Sequence, residues 1–357
     1  MHFTRAISTI LAARIARAFS FSAETTGLEY ENLTKPIPLT QDLGASQSTN
    51  INANNSWWSS SYVHASNSHD YLILSHIGLG RGSNPAMFYR ASILDINETT
   101  NYWRIARVID PSSGAVQPHE GTLNLTLDKY GFISVDKTKP LGAMRTWSTS
   151  DMVWFNLTFE LSAPILLNGG IGTFQWGSEI SYEWSMPAGL TYGSFIANGD
   201  WLTVDTAHSM TWYDRQIAWP HGPMDGPPRA NWTWFEVHLN EQKMSIWIWD
   251  TQDHRRFQFA TVREEPGVHQ VLAVTDFIPS MRQWTSPISN ATYSLDWVVS
   301  LGDETTLQLS SIRADQELCD PRGRIPTYGG YVNVTGMRDG RPLSGYGVVE
   351  IVPFSPH

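Results

Sequence analysis

The stretch that decides the fold is Ala207-His-Ser-Met-Thr-Trp-Tyr-Asp-Arg-Gln-Ile-Ala-Trp-Pro220. At its centre, Trp212, Tyr213, Asp214, Arg215 and Gln216 set an acid, a fixed cation, an amide and a phenol side by side among indoles. On an extended strand alternate residues share a face. Trp212, Asp214 and Gln216 therefore point one way, and Tyr213 and Arg215 the other. One set faces a cavity and the other locks the strand to its neighbour, so Asp214 or Arg215 lines the cavity, but not both unless a bulge intervenes. A structural Asp–Arg pair at a strand end explains the same residues without any chemistry.

Outward from this stretch the chain is a procession of strands. Short apolar or alternating runs rich in β-branched and aromatic residues occupy 71–77, 87–96, 102–109, 122–127, 132–135 and 152–161. Further strands are expected at 173–186, 191–196 and, after the Asn198-Gly199 turn, 201–205. A hairpin joins 234–239 to 244–249, and later runs follow at 256–262, 270–277, 293–299, 306–312, 330–335 and 347–352. Apart from the N-terminal 17 residues, no stretch holds a 3.6-residue apolar period. About fifteen strands without helices make an all-β protein of two barrels or sandwiches. The run of Pro and Gly at 220–228 is the natural boundary. It divides an N-terminal β domain (23–219) from a C-terminal one (220–357) and sets the Trp212–Gln216 cluster at the junction, where ligand sites are frequent.

Composition narrows the function. A chain of 357 residues with 41% hydrophobic and 16% charged residues is globular. A net charge of −10 without a basic stripe excludes nucleic acid as a partner. Sixteen Trp, 13 Tyr and 14 Phe suit a cavity for a bulky apolar ligand. Cys319 is the single cysteine, so no intrachain disulfide forms. No 18-residue apolar run is present, which excludes a transmembrane helix.

Eight Asn-x-Ser/Thr sequons, at Asn32, Asn54, Asn97, Asn124, Asn156, Asn231, Asn290 and Asn333, point to the secretory pathway and to a secreted or vesicular location. The N-terminus agrees: Met1–Arg5 is basic, 6–13 is apolar, and Ala18-Phe-Ser20 resembles a cleavage site, giving an expected signal peptide over 1–22. Arg14 and Arg17 interrupt the apolar region, so a transit peptide or an amphipathic helix also fits.

Several chemistries lack their residues. Gly78-Leu-Gly-Arg-Gly82 is followed by Asn84-Pro85 and not by a helix, so it is no phosphate loop. There is no His-Glu-x-x-His or comparable spacing among the 11 histidines, so no metal site is expected, and no Gly-x-Ser-x-Gly elbow. Glu179 and Glu183 share a strand face about 13 Å apart, at roughly 3.3 Å per residue, too far for a glycosidase pair. Either carboxyl, buried beside indoles, would be raised towards neutrality and could act as an acid. Either could equally pair with Arg215.

Four blocks in order resemble the hydroxyneurosporene-synthase-type superfamily of two tandem lipocalin-like domains. They are 176–187 with its Trp-Gly-Ser and Glu-Trp-Ser-Met-Pro, Trp212-Tyr-Asp-Arg-Gln216 with Trp219, Ser245-Ile-Trp-Ile-Trp-Asp250, and Gly345-Tyr-Gly-Val-Val-Glu350. The likeness runs from about residue 55 to the C-terminus. One departure is Gln216-Ile-Ala-Trp219, where the family continues Gln-Trp-Gly. The superfamily includes carotenoid hydratases and fungal Diels–Alderases, and the N-terminus and sequons are similar to the fungal branch.

That branch implies a cofactor-independent hetero-Diels–Alder cycloaddition. Its two hydrophobic partners are a tropolone-derived ortho-quinone methide and a humulene-type terpene. Asp214 or Glu179 would dehydrate the precursor, Arg215 or Tyr213 would donate to the heterodiene carbonyl, and Trp58, Trp176, Trp184, Trp212, Gln216, Trp249 and Trp284 would line the pocket. Holding two partners in register supplies about 7–11 kcal/mol at best. Two rivals use the same residues: an acid-catalysed hydratase, dehydratase or isomerase of one isoprenoid, and a non-catalytic carrier.

Overall fold

The computed structural model describes residues 19–25, 41–82, 87–109, 122–176, 179–220, 230–239, 242–251, 254–265 and 268–353. The Pro/Gly boundary from 221 to 228, most of the expected leader and Asn32 lie outside them. Among the described residues no helix is long and apolar enough to cross a membrane.

The first sheet holds β1 (Asn54–His64), β2 (Asp70–Leu79), β3 (Met87–Asp95), β4 (Tyr102–Ile109), β5 (Asn124–Thr126), β6 (Tyr130–Ser134), β7 (Ala143–Thr149), β8 (Trp154–Glu160), β9 (Leu166–Leu167), β10 (Thr173–Trp176), β11 (Glu179–Ala197), β12 (Asp200–Thr203) and β13 (Met210–Pro220). Its main path runs β4-β3-β2-β1-β13-β11-β8-β7-β6-β5. The sheet curls into a half-barrel, so Phe132 of β6 and Phe159 of β8 reach Tyr213 of β13, with ring centroids 5.8 and 5.6 Å away.

The second unit holds β14 (Ala230–Leu239), β15 (Gln242–Thr251), β16 (Arg256–Glu265), β17 (Val268–Pro279), β18 (Gln283–Thr285), β19 (Thr292–Ser294), β20 (Asp296–Leu301), β21 (Thr306–Ser311), β22 (Glu317–Leu318), β23 (Thr327–Arg338) and β24 (Arg341–Val352). Strands β21-β20-β17-β16-β15-β14-β24-β23 follow one another, and β23 pairs back to β21, which closes an eight-strand barrel. Closure removes the sheet edge. The protein is therefore all-β, with two barrel-type units in tandem.

Two strands escape the apolar pattern for the same reason. β1 contains Ser59, Ser60 and Ser61, and β7 buries Thr146 and Ser148, so hydroxyls stand where an aliphatic stripe would mark a strand. The stretch 173–196 differs too. It is the short β10 and then one continuous strand, β11, carried past Pro187 by a register shift between Met186 and Gly189 in its pairing with β13.

The barrels meet across two outer faces. On β14 the odd positions Phe235, Val237 and Leu239 fill the second barrel with Ile246 and Ile248 of β15. The even positions of β14 and the facing residues of β15 and β24 turn outward. There Trp234, Trp247, Trp249, Tyr346 and Val348 join the core of the first unit.

Candidate active site

The site lies in the layer between the barrels, and strand pairing assembles it. Trp58 of β1 is opposite both Asp214 of β13 and His76 of β2, and Arg90 of β3 is opposite His76. On the other side of β13, Ser185 of β11 faces Asp214, and Glu183 faces Gln216. Glu183 and Asp214 are thus diagonal neighbours on one sheet face, within reach of one another's charge. The second barrel lays Trp234, Glu236 and His238 of β14 and Glu350 of β24 over this face.

Alternation along β13 separates the expected residues. Trp212 meets Trp234 and His238 of the second barrel, with ring centroids 6.3 and 5.4 Å away. Its Nε1–H donates to Asp214 Oδ1 at 2.8 Å. Gln216 shares this face and donates to Ser181 Oγ.

Tyr213 and Arg215 turn inward, which corrects their expected role as donors to a substrate carbonyl. Tyr213 donates its hydroxyl to Gln47 Oε1 at 2.5 Å. The Arg215 guanidinium donates to the carbonyls of Ser46, Ser48, Ser56 and Gln216 and to Asn55 Oδ1, with Trp57 stacked 4.3 Å from its Cζ. Every direction in which it can donate is taken within the first unit, and burial lowers it to about 9.

Of the expected pocket tryptophans, Trp58, Trp176, Trp212 and Trp249 face the layer. Trp58 is 6.0 Å from Trp234, Trp176 is 4.9 Å from Trp232, and Trp249 stacks on Phe257. Trp184 turns inward and donates to Ser46 Oγ. Trp284 sits on the small β18–β19 hairpin, stacked on Tyr293 and away from the layer.

Five acids are buried in the layer: Glu179, Glu183, Asp214, Glu236 and Glu350. Burial raises Asp214 to about 7, although Ser185 and Trp212 hydrogen-bond its charged form, and Glu350 adds to the rise. Glu183 is raised well above the usual carboxylate range by burial and by the negative charges of Asp214 and Glu350. Glu179 is raised to about 7 by burial, against Arg81 and a hydrogen bond from Asn54. Arg90 Nη1 lies 4.0 Å from Glu350 Oε1.

Sequence reasoning missed Glu236, His238, His76 and Glu350. Glu236 accepts from Ser60 Oγ at 2.7 Å and from Tyr62 at 2.6 Å, across the boundary between the barrels. Its signal in the sequence is polar residues at alternate positions of an otherwise apolar strand, which also fits a solvated face. An N-terminal strap closes this end. Phe21 packs against Tyr62 and Tyr346, and Glu24 grips Arg263 with both oxygens at 2.8 Å. A leader cleaved after residue 22 would remove that buried phenylalanine.

Unpaired polar atoms concentrate here. Of the 16 buried side-chain N and O atoms without a hydrogen-bond partner among the described residues, nine belong to this layer. They are on His76, Arg90, Trp176, Glu179, Glu183, His238, Trp247 and Trp249. Buried polar groups are nearly always paired in native proteins. A cluster of unpaired ones beside raised carboxyls has the character of a ligand site.

Comparison with known proteins agrees with this fold. Kievitone hydratase of Fusarium solani subsp. phaseoli is 32% identical over 351 residues, covering 97% of this chain and 95% of that protein. Dehydratase asqC of Emericella nidulans is 32% identical over 358 residues, covering 97% of both. The crystal structure of kievitone hydratase from Nectria haematococca superimposes with a TM-score of 0.81 at 31% identity, covering 94% of this chain and 98% of that one. The AttH-like family model matches residues 82–352, so the chain belongs to the AttH-like family.

Proposed function

We propose that this protein is a cofactor-independent hydro-lyase, adding water to or removing it from an apolar aromatic or isoprenoid substrate between the two barrels. The observation that carries the reading is Asp214, a buried carboxyl raised to about 7 among indoles and within the field of Glu183 and Glu350. An acid near neutrality holds its proton at rest and releases it in the transition state. Hydration needs such a proton delivered to an alkene carbon. Dehydration needs the same carboxylate to accept the proton back. The indoles of Trp58, Trp212 and Trp234 offer faces to a cation developing on the substrate. The names of the two 32%-identical relatives, a hydratase and a dehydratase, support the reading.

The test is incubation with prenylated phenols and with tertiary allylic or benzylic alcohols in water enriched in the heavy oxygen isotope. Alcohol carrying that isotope, or alkene formed from the alcohol, is the expected result. No turnover of either set, with the purified protein folded, would defeat the reading.

A hetero-Diels–Alder cycloaddition is the second reading, since dehydration also generates an ortho-quinone methide. It is favoured by the aromatic wall that continues from Trp234 through Trp247 to Trp176 and Trp232, an apolar surface suited to a second partner such as a humulene-type terpene. A product containing both partners would select it. Passage through the secretory pathway belongs to the same proposal. Asn97, Asn290 and Asn333 are exposed acceptors, and a glycosidase-sensitive mass would support it.

A further inference from the structure

The imidazole of His238 has no part in the chemistry above. His238 stands on β14 two positions from Glu236, 2% exposed, and neither ring nitrogen makes a hydrogen bond among the described residues. Tyr346 stacks on the ring at 5.0 Å and 16°, while Tyr62 and Trp212 close on it edge-first at 5.3 and 5.4 Å. Glu236 Oε1 lies 3.5 Å from Nε2, outside good hydrogen-bond geometry, and its carboxyl is already served by Ser60 and Tyr62. A structural histidine normally secures at least one nitrogen on a carbonyl or carboxylate. This ring is fixed by three aromatic neighbours while both its polar atoms stay without a hydrogen bond among the described residues. A neutral imidazole presents one donor and one acceptor in divergent directions, and a water molecule or hydroxyl can answer either of them.

We propose that His238 holds the water consumed in hydration and takes its proton, a role that rests on the hydro-lyase reading and supplies its missing base. Trp212 links the two halves, because its Nε1–H is bound to Asp214 while its ring abuts His238. A substrate lying on that indole has the acid at one end and the water at the other.

The Asp214 carboxyl gives its proton to one alkene carbon, and the π electrons form the new C–H bond, leaving a cation on the adjacent carbon. The water oxygen bonds to that cation, and the proton released from the oxygen goes to the free imidazole nitrogen. Proton return from the imidazolium to the Asp214 carboxylate completes the cycle, so that alkene and water give alcohol. Dehydration is the same path reversed. Water bonded to a carbocation is strongly acidic, so the base needs only to be unprotonated. Burial, with the positive charges of Lys243 and Arg263, keeps His238 in that form. The substrate class follows: alkenes whose protonation gives a tertiary or benzylic cation, as in a dimethylallyl-substituted phenol.

The test compares wild type, His238→Gln and Asp214→Asn on a dimethylallyl phenol in D2O, reading alcohol formation and deuterium in recovered alkene. His238→Gln should lose hydration by about 10²-fold or more while still exchanging deuterium, because protonation and its reversal remain. Asp214→Asn should lose both. Added imidazole should restore hydration to His238→Ala, which covers the case of a poorly folded Gln variant. The proposal is overturned if His238→Gln hydrates at the wild-type rate, or if exchange and hydration fall together and imidazole restores neither. Absence of both signals in wild type would instead sink the hydro-lyase reading itself.

Discussion

The indole Nε1–H of Trp212 donates to Asp214 Oδ1 at 2.8 Å from two positions away on the same strand face. The bond runs along one strand, so it fixes the carboxyl without any loop. It also favours the ionised form, yet burial outweighs it and Asp214 still rises to about 7. A carboxyl held by one oxygen and destabilised as an anion is arranged to give up a proton at one defined place.

Replacing Asp214 by Asn should therefore reduce kcat by about 10²–10⁴-fold, the usual worth of a positioned acid. The same change should stabilise the fold at pH 8. A carboxyl whose folded value lies above its unfolded one favours the folded state below the unfolded value, and that contribution is lost as pH rises through the folded value. Wild type should thus weaken between pH 4 and 7 relative to the Asn variant, by on the order of 2–4 kcal/mol. Urea unfolding of both proteins at pH 4 and pH 8 would check this, with the two curves converging at the lower pH.

Removing the charge of Glu350 should move the pH profile. Glu350 raises Asp214, so Glu350→Gln lowers it. Activity that needs protonated Asp214 falls as pH rises through about 7 in wild type, and in the variant this falling limb should appear at lower pH. A kcat–pH profile gives the answer, and a limb that stays in place would leave burial alone as the cause of the rise in Asp214.

Arg215→Ala should act on stability and not directly on chemistry. The guanidinium is fully buried and joins the segment Ser46–Ser48 and Asn55 to β13. Its loss leaves several buried acceptors unpaired, a cost of about 3–5 kcal/mol by denaturant unfolding. The folded fraction should retain its pH profile.

Phe21→Ala tests the strap. Phe21 is 2% exposed between Tyr62 and Tyr346. Truncation should destabilise by about 3–5 kcal/mol and admit water beside His238. Faster quenching of indole fluorescence by acrylamide would report the opening.

Trp284→Ala separates packing from binding. Trp284 stacks on Tyr293 in the β18–β19 hairpin, so its loss should leave kcat/KM unchanged. Trp234→Ala, which removes the indole facing Trp58, Trp212 and Trp247, should raise KM or lower kcat by tenfold or more. Steady-state kinetics on one substrate would compare them.

Periodicity carried the all-β class and the alternation along β13. A period of two is local, because it depends only on pleated backbone geometry and on one face preferring apolar partners. It therefore sorted Trp212 and Asp214 from Tyr213 and Arg215 without any knowledge of neighbours. It could not say which set faces a ligand, since Arg215 satisfied by backbone carbonyls and Arg215 awaiting a substrate have the same sequence. Trp184 and Trp284 were misplaced for that reason: an indole reads as pocket lining wherever it falls. Glu236 and His238 were invisible because acid and histidine at alternate strand positions ordinarily mean a solvated face. What turned that face inward was the first unit laid against it, bringing Ser60 and Tyr62 to Glu236 across 176 and 174 residues of chain. The sequence by itself determined the strands and their faces, through local sterics and hydrophobic alternation. Only the tertiary structure decided that two outer faces meet, because burial, and with it every raised carboxyl in the site, belongs to the pair of barrels and to neither strand alone.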